Sequence, residues 1–417
     1  MRILNVRPRR GRTLTSQCSL ERFTLHCPHF DTCPGCSLNT ALDKPPLLST
    51  AQSFFAKEFG MSLTLHTGPV TGWRNRARLA VRRPQGSDSP LAIGLFAAGT
   101  HDVLTIPDCV AHHGRLNAAA AAVCQTATEL GIQPYDETSR QGALRYLQLE
   151  TRGVAADAAV DATLVWAADA SGDADLRRVA DTLLTEHGEL FSSVWVNRNT
   201  TAGNAVVDVR LEQWQRLDGR LEDAWHWERF GGADVAYTPA AFLQANYGAF
   251  DALCTHVGDL VPQGSRVADV FAGTGALGLS LLARGICSQL TAIEVTPGAA
   301  AAFHVAVTRL DAHARATMHI VDAGAQDALD ILAGSGVDVA IVDPPRKGLD
   351  ASLLNALSDP QRLRSIRRLV YISCGFKALQ RDALALRRHG WVLARPPEAW
   401  QFFPGTDALE TVAVFDR

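Results

Sequence analysis

From Ser265 to the C-terminus the chain repeats one pattern: a short apolar run, a turn rich in Gly, Asp or Pro, then a helical stretch. The runs read "SRVADVFAG", "QLTAIEV", "ATMHIVDA", "VDVAIVDPP" and "RRLVYISCG". Strands that are apolar on both faces need cover on both faces, and parallel strands need long crossovers, which helices supply. The C-terminal part, residues 236–417, is therefore expected to be an α/β domain. Before it, "ALRYLQLET", "ATLVWAA" and "SSVWVNRNT" alternate with Gly-, Asp- and Ala-rich segments, which predicts a sheet-rich α+β central domain over 27–235. Residues 1–26 carry Arg2, Arg7, Arg9, Arg10, Arg12 and Arg22 against one acid, Glu21. They read as a disordered basic leader, with an organelle transit peptide as the alternative.

The first of these strands runs into "DVFAGTGALG", which sets Gly273, Gly275 and Gly278 at the mouth of a helix, while Glu294 ends the following strand. Glycines at that turn let the backbone approach a ligand, and an acid about twenty residues on can hold both hydroxyls of a ribose. A nucleotide-type ligand is the expectation. Two strands later "IVDPPRKGLD" places Asp343 at a strand's carboxyl end, ahead of two prolines. This loop resembles the substrate-facing loop of S-adenosylmethionine-dependent methyltransferases, whose first loop also starts from an acid, as Asp269 does here.

The next strand ends in "YISCGF", with Cys374 where α/β sheets present their chemistry. A methyltransferase has a use for a thiol there. Carbon 5 of uracil is too weak a nucleophile to take a methyl group from a sulfonium, but a thiolate added at carbon 6 turns the ring into an enolate that can. The carbon-5 proton must then leave to a base, for which Glu410, in the last strand "DALETVAVFDR", is the candidate.

Near the N-terminus "HCPHFDTCPGC" packs Cys27, Cys33 and Cys36 together in a chain of only nine cysteines. Disulfide scaffolds are short and cysteine-dense, and no hydrophobic signal core precedes this segment, so disulfides rank below a metal site. Spacing alone suits tetrahedral zinc as well as an iron–sulfur cluster, and His26, His29, His112 and His113 keep a mixed zinc site open. After it, "GWRNRARLAVRRP" puts Arg74, Arg76, Arg78 and Arg82 on one parity and Ala77, Leu79 and Val81 on the other. That is a strand with a guanidinium face, either solvated or contacting phosphates. The formal net charge of −3 announces no nucleic-acid partner in bulk, so a local patch has to supply one. With 47% hydrophobic residues and no uninterrupted apolar run of spanning length, the composition is that of a soluble protein and no membrane partner is expected.

Together these residues resemble the RNA uracil-C5 methyltransferases, specifically the iron–sulfur-containing branch that acts on large-subunit ribosomal RNA. The likeness runs from Cys27 to the C-terminus, without the N-terminal β-barrel RNA-binding domain that many members carry. It implies a Rossmann-like methyltransferase domain, S-adenosyl-L-methionine as methyl donor, and a [4Fe-4S] cluster on Cys27, Cys33, Cys36 and Cys109, the last from "IPDCVAHH". It implies a cofactor and substrate set of Gln244, in "FLQAN" with Phe242 and Asn246, together with Asp269, Gly273, Gly275, Glu294, Asp322 and Asp343. It makes Cys374 the nucleophile, Glu410 the base and Asp343 a contact to the flipped uracil edge. The partner implied is RNA, ribosomal by preference, bound by a monomer in the cytoplasm, or in a mitochondrion or plastid if the leader is a transit peptide. The family's Ser-Cys-Asn-Pro is here Ser373-Cys374-Gly375-Phe376, and an Asp and two His near the base are here Gln401, Gly405 and Ala408. RNA cytosine-C5 or tRNA uracil-C5 methylation, or RNA binding without turnover, are the alternatives.

Overall fold

The structure is a computed structural model that describes residues 23–417 except 85–88, 168–172, 200–205, 209, 219–224, 297, 311–315, 321–324 and 360. In chain order, α1 (Pro46–Phe59) and β1 (Thr64–His66) precede a central group of β2 (Arg76–Arg82), β3 (Ala92–Phe96), β4 (Val103–Thr105), α2 (Gly114–Glu129), β5 (Leu144–Thr151), β6 (Val160–Trp166), α3 (Asp173–Glu186), β7 (Phe191–Arg198) and β8 (Trp214–Arg216). These strands form one seven-stranded sheet in the order β4-β3-β2-β5-β6-β7-β8, antiparallel except for β6 and β7. Its core is built from the apolar parity of β2 (Ala77, Leu79, Val81) against Leu116, Ala119 and Val123 of α2 and Leu176 and Val179 of α3. Burying a side chain of Val or Leu size contributes about 1.5–3 kcal/mol each.

A hairpin of β9 (His226–Phe230) and β10 (Ala233–Tyr237) follows, then α4 (Tyr247–Leu260), β11 (Ser265–Val270), α5 (Ala276–Ala283), β12 (Cys287–Glu294), α6 (Ala299–Val307), β13 (Ala316–Ile320), α7 (Ala325–Ser335), β14 (Val339–Val342), α8 (Ala351–Ser358), β15 (Arg368–Ser373), α9 (Phe376–Arg388), β16 (Val392–Leu393), β17 (Glu398–Trp400) and β18 (Glu410–Asp416). The second sheet has the order β1-β17-β18-β15-β14-β11-β12-β13, with β16 also on β18. From β13 through β15 the strands are parallel, and β18 runs against β15. Chain direction across the sheet reverses between β11 and β14, and ligands of open α/β sheets sit at the carboxyl ends of such a switch point.

Packing does not follow chain order. Phe230, Val235 and Tyr237 of the hairpin share a core with Tyr247, Phe250 and Val257 of α4 and with Leu279 of α5. Leu48, Ala51 and Phe55 of α1 are buried with Val270, Phe376 and Phe415. The short β1 adds itself parallel to the edge strand β17. Segment 46–66, which precedes residue 236, and the hairpin 226–237, which straddles it, thus pack with the α/β sheet.

Candidate functional site

The turn after β11 is held open by its backbone. Gly273 (φ 55) and Gly275 (φ 79) lie in the left-handed region that glycine enters without cost, and Phe271 enters it too, at φ 64. A non-glycine residue held there stores strain of a kind that clusters at functional sites; nothing in the local sequence marks it. Gly278 serves close approach: a Cβ on it would stand 2.6 Å from Leu290 Cδ1. Its N–H donates to Asp269 Oδ2 at 2.9 Å, while Asp269 Oδ1 is buried without a partner. Burial pushes the Asp269 carboxyl up to about 7, against the pull of the Gly278 N–H and with help from the charges of Asp343 and Glu294. Glu294 ties the turn to the next strand. Its Oε2 accepts from Gly273 N at 2.7 Å, and its Oε1 from Val295 N, Thr296 N and Thr296 Oγ1. Val295 beside it is an exposed apolar face. An orphaned buried carboxylate oxygen, a glycine turn and an apolar wall suit a nucleoside with a charged tail. Asp322 lies outside the described residues.

Gln244 sits half-buried between β10 and α4, in a segment clamped from both sides. Asn75 N donates to Ala245 O, Asn246 Oδ1 caps α4 by accepting from Ala249 N, and Asn246 Nδ2 donates to Phe402 O. Phe242 in the same segment is 74% exposed.

The β15–β18 register brings the candidate nucleophile and base together. Ser373, the last residue of β15, pairs with Thr411 of β18, so Cys374 and Glu410 are the next residues beyond that pair, close enough for the Glu410 charge to act on the Cys374 thiol. Asp343 and Arg346 arrive from the neighbouring β14 loop, and Cys374 Sγ lies 4.0 Å from Pro344 O. Burial pushes the Cys374 thiol up to about 11, helped by the charges of Glu410 and Asp343 and opposed by the backbone and by Arg346. Burial and the Asp343 charge push Glu410 up to about 8, and burial pushes Asp343 up to about 7. Perturbed acids around a thiol at a strand end are what a proton-transfer site needs. Gly375 allows the loops to meet, since a Cβ there would stand 2.3 Å from Arg346 O.

Cys27, Cys33, Cys36 and Cys109 line one cavity of about 140 Å³ together with His29, Arg74 and Thr406. Burial, with the neighbouring thiols, pushes Cys36 up to about 11. One ring nitrogen of each of three nearby histidines is engaged: His113 Nδ1 accepts from Arg115 N, His112 Nδ1 meets Asn117 Oδ1, and His29 Nε2 accepts from Asp108 N. Among the described residues no group of three or more His, Cys, Asp or Glu is arranged to hold a metal ion.

The guanidinium face expected of β2 is not a free face. Arg76 and Arg82 are buried: Arg76 donates to Pro239 O and Ala241 O and pairs with Glu150, and Arg82 pairs with Glu137. The parity is as read, but the chain folds the 239–241 segment over that face. Arg78 is exposed and donates to Gln148 Oε1, and Arg74 lies over the Trp73 ring. Among the described residues no helix is long and apolar enough to cross a membrane.

Comparison with known proteins places this geometry. A family described as "Conserved hypothetical protein 95" matches residues 247–380. An uncharacterized RNA methyltransferase of Protochlamydia amoebophila is 32% identical over 400 residues, covering 95% of this chain and 99% of the relative. Another, of Geobacter sulfurreducens, is 26% identical over 412 residues, covering 93% of this chain and 76% of the relative. The crystal structure of the Pyrococcus abyssi tRNA (uracil-54, C5)-methyltransferase in complex with S-adenosyl-L-homocysteine superposes with a TM-score of 0.68 at 21% identity, over 92% of this chain and 86% of that one, which shows a shared fold. With a relative this similar along nearly its whole length, the chain belongs to the RNA methyltransferases.

Proposed function

We propose that the protein methylates carbon 5 of a uridine in RNA through a covalent Cys374 adduct. The observation that carries this reading is that Cys374 and Glu410 flank the last pair of the β15–β18 ladder, with the charges of Glu410 and Asp343 acting on the Cys374 thiol. S-Adenosyl-L-methionine, when bound at the Asp269–Glu294 turn, supplies an electrophilic methyl group. Cys374 gives its proton to water, and the thiolate sulfur forms a bond to carbon 6 of the flipped base, pushing the ring electrons toward carbon 5 and the neighbouring carbonyl. Asp343, whose carboxyl burial raises to about 7, donates to that carbonyl in its protonated form as the oxygen gathers charge. Carbon 5 then takes the methyl group. Glu410 removes the carbon-5 proton, the ring double bond re-forms and the carbon 6–sulfur bond breaks, returning the thiolate. A base poised at about 8 suits that transfer near neutral pH.

The sequence resemblance makes Cys27, Cys33, Cys36 and Cys109 the donor set of a [4Fe-4S] cluster, and their lining of one cavity supports it. Large-subunit ribosomal RNA is the substrate class favoured by the sequence resemblance; the tRNA activity of the structural neighbour keeps tRNA as the second.

Methyl transfer from labelled S-adenosylmethionine to uracil-containing ribosomal RNA and tRNA tests the reading. Cys374→Ala should give neither product nor adduct, while Glu410→Gln should trap a methylated protein–RNA adduct that survives denaturing gels. An adduct formed equally by Cys374→Ala would overturn the role of Cys374. Anaerobically purified protein should carry about four irons with inorganic sulfide; a single tightly held zinc would remove the cluster.

A further inference from the structure

The loop that delivers Glu410, residues 401–409 between β17 and β18, is held by a segment more than three hundred and fifty residues earlier in the chain. Ser37 N and Leu38 N both donate to Gly405 O, at 2.8 and 2.9 Å. Gln401 Nε2 donates to Leu42 O, and Leu47 N donates to Asp407 Oδ1 at 2.6 Å. Gly405 is in the left-handed region at φ 92, and the space a Cβ would need is taken by Cys36 Sγ at 3.1 Å and Leu25 Cδ2 at 3.4 Å. Thr406 completes the wall of the cysteine cavity. On its other side the loop is gripped by the α/β domain: Phe402 O accepts from Asn246 Nδ2, and Phe402 and Leu409 are buried.

We infer that Gly405, seated on Cys36 and on the amides of Ser37 and Leu38, is a positioning residue that sets where the Glu410 carboxylate stands relative to Cys374. This rests on the reading of Glu410 as the base. Gly405 touches no reacting atom; it acts through the loop. Glu410 is the first residue of β18 and pairs with Trp400, the last of β17, so both ends of the loop meet at the base and a shift at Gly405 bears directly on where its carboxylate stands. Proton removal needs the base within about 2.6–3.2 Å of its target, and a displacement of about 1 Å can cost a hundredfold. Nucleophilic addition by Cys374, which follows β15 directly, does not pass through this loop.

The two halves of the reaction should therefore separate in Gly405→Ala. Adduct formation should keep its wild-type rate and the RNA KM should stay within about twofold, while kcat falls at least about tenfold and methylated adduct accumulates. Asp407→Ala, which removes an exposed anchor of the same loop, should show the same pattern more weakly and guards against a Gly405 variant that does not fold. Hydrogen exchange gives a readout free of activity: amides of 402–410 should exchange faster in Gly405→Ala and in Cys36→Ala, with strands β11 and β14 unchanged. Wild-type turnover and unchanged exchange in these variants would overturn the inference, as would a loss carried by RNA KM alone. If the wild-type protein itself yields neither product nor adduct on any uracil-containing RNA, the proposed function fails. The exchange measurement then still decides whether the cysteine segment holds the loop.

Discussion

Replacing Arg76 with methionine separates a buried structural arginine from a phosphate contact. Its NH1 donates to Ala241 O at 2.7 Å, and its NH2 donates to Pro239 O at 2.8 Å and pairs with Glu150 Oε1 at 3.0 Å. Glu150 is itself 2% exposed, so methionine leaves a buried carboxylate with only the Gln148 amide and strips Ala241 O of its donor. Removing one partner of a buried ion pair costs about 3–5 kcal/mol, because the remaining charge stays desolvated. Against a total stability of about 5–15 kcal/mol that is a large share. At about 2–4 °C per kcal/mol for a domain of this size, the melting temperature should fall by about 6–20 °C. Arg78→Met, on the same face but exposed, should move stability by less than about 0.5 kcal/mol. If Arg78 contacts a phosphate, the same change should lower the salt slope of RNA binding by about one. Urea unfolding and scanning calorimetry measure the first effect, and binding titrations between low and moderate salt the second. The double variant Arg76→Met/Glu150→Met should recover much of the loss, since it removes the stranded charge as well. An Arg76→Met protein of near wild-type stability whose RNA salt slope drops by one would refute the reasoning and restore the phosphate-binding face.

Other outcomes follow from the site. Glu410 and Asp269 have folded pKa values of about 8 and about 7, far above the carboxylate range near 4 of an unfolded chain. The stability they contribute is therefore complete below about pH 4 and is lost as pH rises through 7–8. Glu410→Gln should flatten that fall and be more stable than wild type above about pH 8; parallel profiles in thermal unfolding would contradict it. Alkylation of Cys374 by iodoacetamide, followed by mass spectrometry, should speed up in Asp343→Asn and slow down in Arg346→Gln, because the first charge raises the thiol and the second lowers it; the reverse order would count against the arrangement. Gly375→Ala should force the Arg346 loop back and cut kcat by about tenfold or more while S-adenosylmethionine binding holds, since the collision is with Arg346 O and not with the glycine turn. Calorimetric titration and single-turnover rates separate the two.

The sequence determined what depends on near neighbours in the chain. Apolar runs in "VDVAIVDPP" and "RRLVYISCG" read as covered strands, and the glycines after Asp269 as a turn at a helix mouth, because side-chain periodicity and backbone sterics act over a few residues. Asp343, Cys374 and Glu410 were legible as strand-end residues for the same reason. That Cys374 and Glu410 come near each other was decided by the antiparallel register of β15 and β18, which adjoin in space with α9 and two short strands between them in the chain. Cys109 reaches the cavity of Cys27, Cys33 and Cys36 only because the central sheet folds it back. Arg76 shares its parity with Arg74 and Arg78, and no local rule distinguishes them; the 239–241 segment lying over it makes it a structural residue. Likewise α1 and β1 carry no mark of belonging to the α/β sheet, because joining it depends on an open edge at β17 formed from the far end of the chain. Local chemistry chose the parts, and burial between segments distant in sequence chose which of them meet.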